Sequence, residues 1–185
     1  MKRTAFVTLM LGGLIVLSTT QSCHKNDSTP PATLTLYDSL GGTTMVADPA
    51  NAGAMIEKGR LGIRSVVDST IFVIAGDAAI NGHFSVLLSE VGMGNLSGFQ
   101  ALSKKLTDFF AVATGAKNYS YTGLSMTAAH DPAQNSRMKN KASNADFDAF
   151  LADLVKGAQK NNLPDYLITR VGAVTNTVRT PVVQM

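Results

Sequence analysis

One apolar stripe restricts the fold of this chain more than any other feature. In LSGFQALSKKLTDFFAVATG, residues 96–115, apolar side chains recur every three or four positions. This spacing places them on one face of an α-helix, which must be buried against other elements. The helix is predicted to begin near Ser97, which could cap it, and to end at Gly115. The predicted stripe consists of Phe99, Leu102, Leu106, Phe109, Phe110 and Ala113.

Two further helices are predicted near the carboxyl terminus. SNADFDAFLADLVKGAQKNN, residues 143–162, has apolar residues at helical spacing, and Ser143 with Asp146 resembles a capping box. Pro164 is expected to open the last helix, because proline is favoured in the first turn. The apolar face predicted for that helix contains Tyr166, Leu167, Val171, Val174 and Val178.

The amino-terminal half of the domain is also predicted to be helical. The spacing predicts a helix over residues 54–74, preceded by a loop with Asp48-Pro49 as a turn. Short helical segments are expected at residues 36–42 and 77–84. Because alternating strand patterns are few, the predicted fold class is all-α.

The amino terminus has the pattern of a secretory signal. Two basic residues precede an apolar run that is shorter than a membrane span of about 20 residues. Cys23 is the only cysteine, so no disulfide can form within the chain. A lone cysteine after small polar residues predicts lipidation of Cys23, although Gln21 departs from the usual pattern. The alternative is an uncleaved leader with a free or buried thiol.

These features predict three regions: a signal peptide at residues 1–22, a lipidated tether at 23–35 and a folded domain at 36–185. The tether contains two adjacent prolines and no apolar period, as is typical of a spacer. The predicted location is the cell envelope, with the protein anchored in a membrane at the periplasmic face or the cell surface. Cleavage removes two basic residues and lowers the net charge from +3 to +1. Nucleic acid is not an expected partner, because no basic stripe with aromatic residues occurs.

His130 lies at the end of YTGLSMTAAHDP, residues 121–132, a stretch of mostly small and apolar residues. A bare metal ion needs three or four ligands, and the other histidines, His24 and His83, are not at helical spacing from it. Haem needs only one axial base and a dry cleft, because the porphyrin supplies four nitrogens. From the residues alone, two interpretations stay open: a histidine packed in the core, and a ligand to haem iron.

The sequence resembles the truncated haemoglobins from residue 36 to about residue 183. The resemblance rests on LYDSLGG, on the Phe-Phe-Ala run before Gly115, on YTG with the following Met and His, and on ADFDAFLADLV with NNLPDYLI. It implies a globin-like, two-over-two helical sandwich with extended pre-distal and proximal loops. It also implies haem b as the cofactor and His130 as the proximal iron ligand. His130 would bind iron through Nε2, while Nδ1 donates to a backbone carbonyl or water.

The same resemblance implies a haem pocket built from several helices. Phe84 would wedge against the porphyrin face, and Phe147 would pack beneath the ring. For each lining residue the alternative is an ordinary place in the core, and for Phe109 and Phe110 this alternative has at least equal weight. The residues implied to line the pocket are Ile71, Phe84, Leu102, Leu106, Phe109, Phe110, Tyr121, Met126 and Phe147.

Two inserts distinguish the chain from the family. One precedes Asp77 and lengthens the entry to the second helix. The other separates His130 from Phe147 and contains few apolar residues. It is expected to be a solvated loop, and the alternative is a basic lip near the haem propionates. Its basic residues are Arg137, Lys139 and Lys141.

The distal side of the implied pocket is apolar. Many truncated haemoglobins place a tyrosine there, with a glutamine or tryptophan on the distal helix, to donate hydrogen bonds to bound dioxygen. The corresponding residues here are Ile71 (Phe72 if the register shifts by one) and Leu106, which cannot donate. A charge-assisted donor contributes about 1.5–3 kcal/mol, so dioxygen should leave faster and carbon monoxide or nitric oxide should be favoured. Lys105 is a candidate sixth iron ligand, and the alternative is a solvated or propionate-paired ammonium.

Three functions are compatible with these residues. The first is a haem-binding globin that binds O₂, CO or NO, or transfers electrons with a redox partner of unknown identity. The second is an enzyme of nitric oxide or peroxide chemistry, which would need a reductant; the sequence has no flavin or nicotinamide fingerprint. The third is a globin-like structural or interaction module without haem. A ligand-binding haem protein is favoured over a dedicated enzyme.

Overall fold

A computed structural model describes residues 33–185, which pack as one unit. The predicted signal peptide, Cys23 and most of the predicted tether lie outside these residues. The described elements, in chain order, are α1 (Leu36–Ser39), β1 (Met45–Ala47), β2 (Met55–Glu57), α2 (Lys58–Gly76), a 3-10 turn (Asn81–Phe84), α3 (Ser85–Gly92), α4 (Ser97–Thr114), α5 (Met126–Ala129), α6 (Asn144–Lys160), α7 (Asp165–Asn176) and α8 (Arg179–Val182).

Four long helices form the frame of the fold. Helix α2 packs against both α4 and α6, and α7 packs against α6 and α4. The α2/α4 pair therefore lies against the α6/α7 pair, and the predicted all-α, two-over-two sandwich is confirmed. The main core between the pairs includes Ile63, Val67, Ile71, Phe110, Ala111, Leu154, Ala158, Leu167 and Val171.

The apolar stripe of α4 is divided between two environments. Phe110 is buried in the main core, whereas the face formed by Phe99, Leu102, Leu106 and Phe109 is half-buried at its edge. The placement of Ala113 on the stripe is wrong, because its position on α4 is exposed. The helix thus has one face toward the core and a second apolar face that is only partly covered.

Helix α4 begins at Ser97 and ends before Gly115, as predicted, but the predicted cap at its start is not observed. Gly115 ends the helix with a φ of 105°, a left-handed conformation that glycine adopts without steric cost. The predicted cap at Ser97 is wrong, since no capping hydrogen bond comes from its side chain. Instead, the Ser97 backbone N–H donates to Asn95 Oδ1 at 3.0 Å, so the side chain two positions earlier satisfies this end.

The capping box of α6 is confirmed. Ser143 Oγ accepts from the Asp146 N–H at 3.2 Å, and Asp146 Oδ2 accepts from the Ser143 N–H at 2.7 Å. Helix α7 follows Pro164, as predicted. Its predicted apolar face is wrong at Tyr166, which is 63% exposed, and at Val178, which lies beyond the end of the helix.

The segment before α2 is a β-hairpin, which corrects the predicted loop and the predicted helix start near residue 54. Strands β1 and β2 pair antiparallel, with Val46 opposite Ile56. Asp48 forms the turn, where its carboxylate accepts from the Ala50 N–H at 3.0 Å. Each strand has three residues, too few for an alternating pattern to be recognised in the sequence.

A buried carboxylate connects the hairpin to two other parts of the chain. Glu57 is 6% exposed and accepts hydrogen bonds from Tyr37 Oη and Asn118 Nδ2, each at 2.6 Å. Burial, and then the contact with Glu57, raise the pKa of the Tyr37 phenol, which therefore stays protonated and donating. Glu57 thus joins α1 and the hairpin to the segment between α4 and α5.

A second ionic group lies beside this carboxylate. Asp108, on α4, is 5% exposed and is paired with Arg60 at 2.5 Å and with Lys104 at 2.6 Å. The Arg60 guanidinium lies over the Tyr119 ring, 4.2 Å from its centroid. These contacts fix α4 to the start of α2.

Within residues 33–185, no single helix is long and apolar enough to cross a membrane. The segments Lys58–Gly76 and Asn81–Gly92 reach the required length and composition only as a pair, across a bend of 109°.

Candidate functional site around His130

His130 ends α5, a single helical turn whose start is capped by Ser125 through the Ala128 N–H at 3.2 Å. Its Nδ1 lies 2.8 Å from the carbonyl oxygen of Met126. A carbonyl can only accept, so Nδ1 carries the hydrogen and the neutral ring keeps its lone pair on Nε2. This is the tautomer that the resemblance implied.

The environment of His130 favours the neutral imidazole. Burial lowers the pKa of His130, the bond to the Met126 carbonyl opposes this, and the nearby His83 lowers the pKa further. Across residues 33–185 no hydrogen bond to Nε2 is found. A neutral ring with an available Nε2 lone pair is what a metal-binding histidine requires.

A small second core supports α5. Met126 packs on a cluster of Ala142, Phe147 and Val182, and the Arg179 guanidinium covers the Phe147 ring at 4.4 Å. Gln184 Nε2 donates to the Thr127 carbonyl at 2.8 Å. The helix that carries His130 is therefore held by the start of α6 and by the last residues of the chain.

The partly covered face of α4 approaches the segment that leads to α5. The ring of Tyr121 meets Phe109 edge-on, with 6.0 Å between centroids. Tyr121 Oη donates to the Leu124 carbonyl at 2.8 Å, and burial raises the pKa of this phenol. Leu102 and Leu106 continue the apolar face toward the start of α4 and are half-buried.

The other predicted pocket residues divide between the two cores. Ile71 is 5% exposed in the main core, and Phe84 packs half-buried against it. Phe72, the alternative to Ile71, is 67% exposed, with its ring 5.4 Å from that of Phe99. Ile71, Phe84, Leu102, Leu106, Phe109 and Phe110 belong to or pack on the main core, and Met126 and Phe147 belong to the second. Their roles toward haem stay predictions.

The charged residues singled out in the sequence are mostly at the surface. Lys105 is exposed on α4. His83 Nε2 lies 3.4 Å from Asp146 Oδ2, so this ring faces the start of α6 and not α4. Lys139 and Lys141 are exposed and line, with His83 and Asp146, an open cavity of about 550 Å³.

Two groups of contacting residues were not anticipated from the sequence. One is the buried Glu57 with its donors, and the other is an ion pair between Glu90 and Arg137. Glu57 lies 20 and 61 residues from its two donors, and Glu90 lies 47 residues from Arg137, so no local pattern could have indicated these contacts.

The described residues contain no group of three or more histidine, cysteine or acidic side chains that could hold a bare metal ion. His130 therefore offers a single nitrogen. This donor set suits a metal whose other ligands are brought by a cofactor.

The chain resembles known proteins in structure and not in sequence. No protein-family model and no curated protein matches it. Crystal structures of the truncated hemoglobin from Tetrahymena pyriformis in the Fe(III) form match 82% of this chain and 100% of that protein, with 19% identity and a TM-score of 0.58. Two single-residue mutants of that protein match over the same shares of both chains, with TM-scores of 0.56 and 0.58.

The chain has the truncated-haemoglobin fold. The resemblance inferred from the sequence is thereby confirmed at the level of fold, over the full length of the neighbour. At 19% identity the likeness does not transfer individual residue roles.

Proposed function

We propose that this protein is a haem-binding globin that binds a diatomic ligand at an iron held by His130. One observation carries the proposal: the Nδ1 bond to the Met126 carbonyl leaves the Nε2 lone pair of a neutral imidazole available. The truncated-haemoglobin fold supports it, because the neighbours named above contain iron in the Fe(III) form.

The residues present fit haem better than any other metal group. The apolar face of Leu102, Leu106 and Phe109 is only partly covered by protein, and a flat apolar ring would complete its burial. His130 supplies one neutral nitrogen, which suffices because a porphyrin provides the other four. The haem is proposed to be haem b. Covalent attachment of a c-type haem uses a pair of cysteines, and Cys23 is the only cysteine in the sequence.

Bound haem would supply an iron with one open position for O₂, CO or NO. The chain's own residues would set the properties of that position. The Met126 carbonyl orients the His130 ring and makes Nε2 a better donor to the metal. Leu102 and Leu106 would exclude water and offer no hydrogen bond. Electron transfer with an unidentified redox partner is proposed as the alternative use of the same iron.

The proposal is tested by adding hemin to the purified domain and recording a visible spectrum. We expect a Soret band that is lost or strongly shifted in His130→Ala. His83→Ala is the matched control, because it removes the other histidine of the described domain and should keep the band. External imidazole should restore the band in His130→Gly, because a free imidazole can occupy the space left by the removed side chain and bind the iron in its place. A domain that stays colourless with hemin contradicts the proposal.

Lys105 is proposed to stay in solvent when haem is bound. Its position on α4 is exposed, and a ligating amine would first have to lose its proton. Ferric and ferrous spectra of Lys105→Ala should therefore match those of the parent. A change from a six-coordinate to a five-coordinate spectrum would identify Lys105 as the sixth ligand.

We also propose that the protein is carried in the cell envelope by a lipid on Cys23. Support comes from the sequence alone: a basic start, a short apolar run and a lone cysteine. Mass spectrometry of the mature amino terminus tests this. An unmodified Cys23, or a chain that still begins at Met1, would contradict it.

A further inference from the structure

An ion pair connects α3 to the insert that follows His130. Arg137 Nη1 donates to Glu90 Oε1 at 3.0 Å, and Nη2 donates to Glu90 Oε2 at 2.5 Å. Such a two-pronged contact is the strongest geometry available to an arginine and a carboxylate. Each partner stabilises the charge of the other: Arg137 lowers the pKa of Glu90, and Glu90 raises the pKa of Arg137. We refer to this contact as the Glu90–Arg137 bridge.

The bridge lies directly on the first turn of α4. Gly98 has no side chain, and a Cβ at this position would collide with the ends of both Glu90 and Arg137. Glycine thus allows the ion pair to rest on the helix backbone. Three parts of the chain meet there: α3, the first turn of α4, and the insert. Gly98 immediately precedes Phe99, where the half-buried apolar face of α4 begins.

The insert is tied back to α5 on its other side. Asn135 Nδ2 donates to the carbonyl of Ala129, the residue before His130, at 2.7 Å. The Asn135 N–H donates to the Asp131 carbonyl at 2.8 Å, and the Arg137 N–H donates to Asn135 Oδ1 at 3.2 Å. Residues 131–137 therefore form a continuous hydrogen-bonded connection from His130 to the bridge.

We infer that the Glu90–Arg137 bridge ties the insert that follows His130 to the first turn of α4 and thereby slows the escape of haem. The inference rests on the proposed function. Through Asn135 and Arg137 the bridge fixes the distance between the histidine side and the first turn of α4. If haem lies between His130 and α4 as proposed, the bridge opposes the separation of these two sides that its release would require. Glu90, Gly98 and Arg137 act as positioning residues, because none of them is placed against the iron.

The expected effect is moderate, because the bridge is partly exposed: 47% of the Arg137 side chain and 21% of the Glu90 side chain are accessible. Exposed ion pairs contribute modestly and are screened by salt. We expect Arg137→Gln to release haem about two- to fivefold faster than the parent at low salt. The difference should disappear at about 1 M salt, where the Debye length is near 3 Å.

The experiment measures haem transfer from the loaded protein to an excess of a tighter-binding apoprotein, by following the Soret band. Glu90→Gln and the double variant should release haem at the rate of Arg137→Gln, because removing either partner removes the whole pair. Gly98→Ala should act in the same direction, since its methyl group pushes the partners apart. Arg170→Gln is the matched control: this arginine donates to Ser39 from α7 and should leave the rate unchanged.

Hydrogen exchange gives a second readout that does not depend on haem release. Amides of residues 131–137 and of the first turn of α4 should exchange faster in Arg137→Gln than in Arg170→Gln. A His130-dependent Soret band with equal release rates in parent and Arg137→Gln overturns the inference and leaves the proposed function standing. Absence of any Soret band overturns the proposed function, and this inference with it.

Discussion

The contact between α2 and α6 depends on Gly157, which allows the two helices to approach closely. A Cβ built there would overlap Thr70 Oγ1 and would lie 2.9 Å from the Thr70 backbone nitrogen and 3.0 Å from its Cα. Thr70 is 2% exposed, and its hydroxyl donates to the Val66 carbonyl at 2.8 Å. Because backbone atoms of α2 stand in the way, Gly157→Ala must push the helices apart.

Two opposing effects set the size of this perturbation. Alanine in place of glycine in a helix interior favours folding by about 0.5–1 kcal/mol. Overpacking a closely packed core typically costs about 1–3 kcal/mol. We therefore expect Gly157→Ala to lower the free energy of unfolding by about 1–2 kcal/mol. Gly172 on α7 is the matched control, because a Cβ there meets no atom within 4 Å. Gly172→Ala should stabilise by about 0.5–1 kcal/mol.

Urea unfolding of the haem-free domain, followed by far-UV circular dichroism, measures both changes without a contribution from ligand binding. Equal m-values in the three proteins would show that the unfolded state is unchanged. The reasoning is refuted if Gly157→Ala is as stable as the parent, or if Gly172→Ala is destabilised to the same extent.

Three further predictions concern a helix cap, an ion pair and the distal side. Ser143→Ala removes the capping box of α6 and should cost about 1 kcal/mol in urea unfolding; an unchanged midpoint would contradict this. Burial raises the pKa of Asp108, but its bonds from Lys104 and Arg60 outweigh burial and leave that pKa below its usual value. The charged carboxylate therefore adds stability above about pH 5 that is lost as the pH falls through the lowered pKa. Asp108→Asn should be less stable than the parent at pH 7, and the gap should narrow below about pH 4; a gap that does not vary with pH would contradict this. If haem binds as proposed, Leu106→Gln should slow dioxygen release in stopped flow by at least about tenfold through the added donor; faster release would contradict an apolar distal side.

The helical frame was predictable because its information is local. Helix α6 carries both its cap and its apolar face within one continuous stretch, and Gly115 marks the end of α4. The hairpin was missed for the opposite reason. Its three-residue strands expose Met45 and Met55 and bury Ile56 and Glu57 on adjacent positions, so the burial pattern has no recognisable period.

The candidate site was predictable in part. His130 was singled out by its motif, and the structure shows its Nδ1 bonded to the Met126 carbonyl, while its role toward iron stays a prediction. The cap of α4 was assigned to Ser97 because the residue type fits, whereas the competing Asn95 side chain takes the role. The Glu90–Arg137 bridge and the hydrogen bonds that Glu57 accepts depend on tertiary contacts alone, and no spacing in the sequence encodes them.

The support of α5 has a consequence for how the protein is made. Arg179 covers Phe147, and Gln184 donates to the Thr127 carbonyl, and both residues are synthesised after α6 and α7. Helices α2, α4 and α6 are complete earlier and can assemble during synthesis. The turn that presents His130 gains these anchors only after α7 has been synthesised, so, if haem binds as proposed, we expect its capture to follow the assembly of the four long helices.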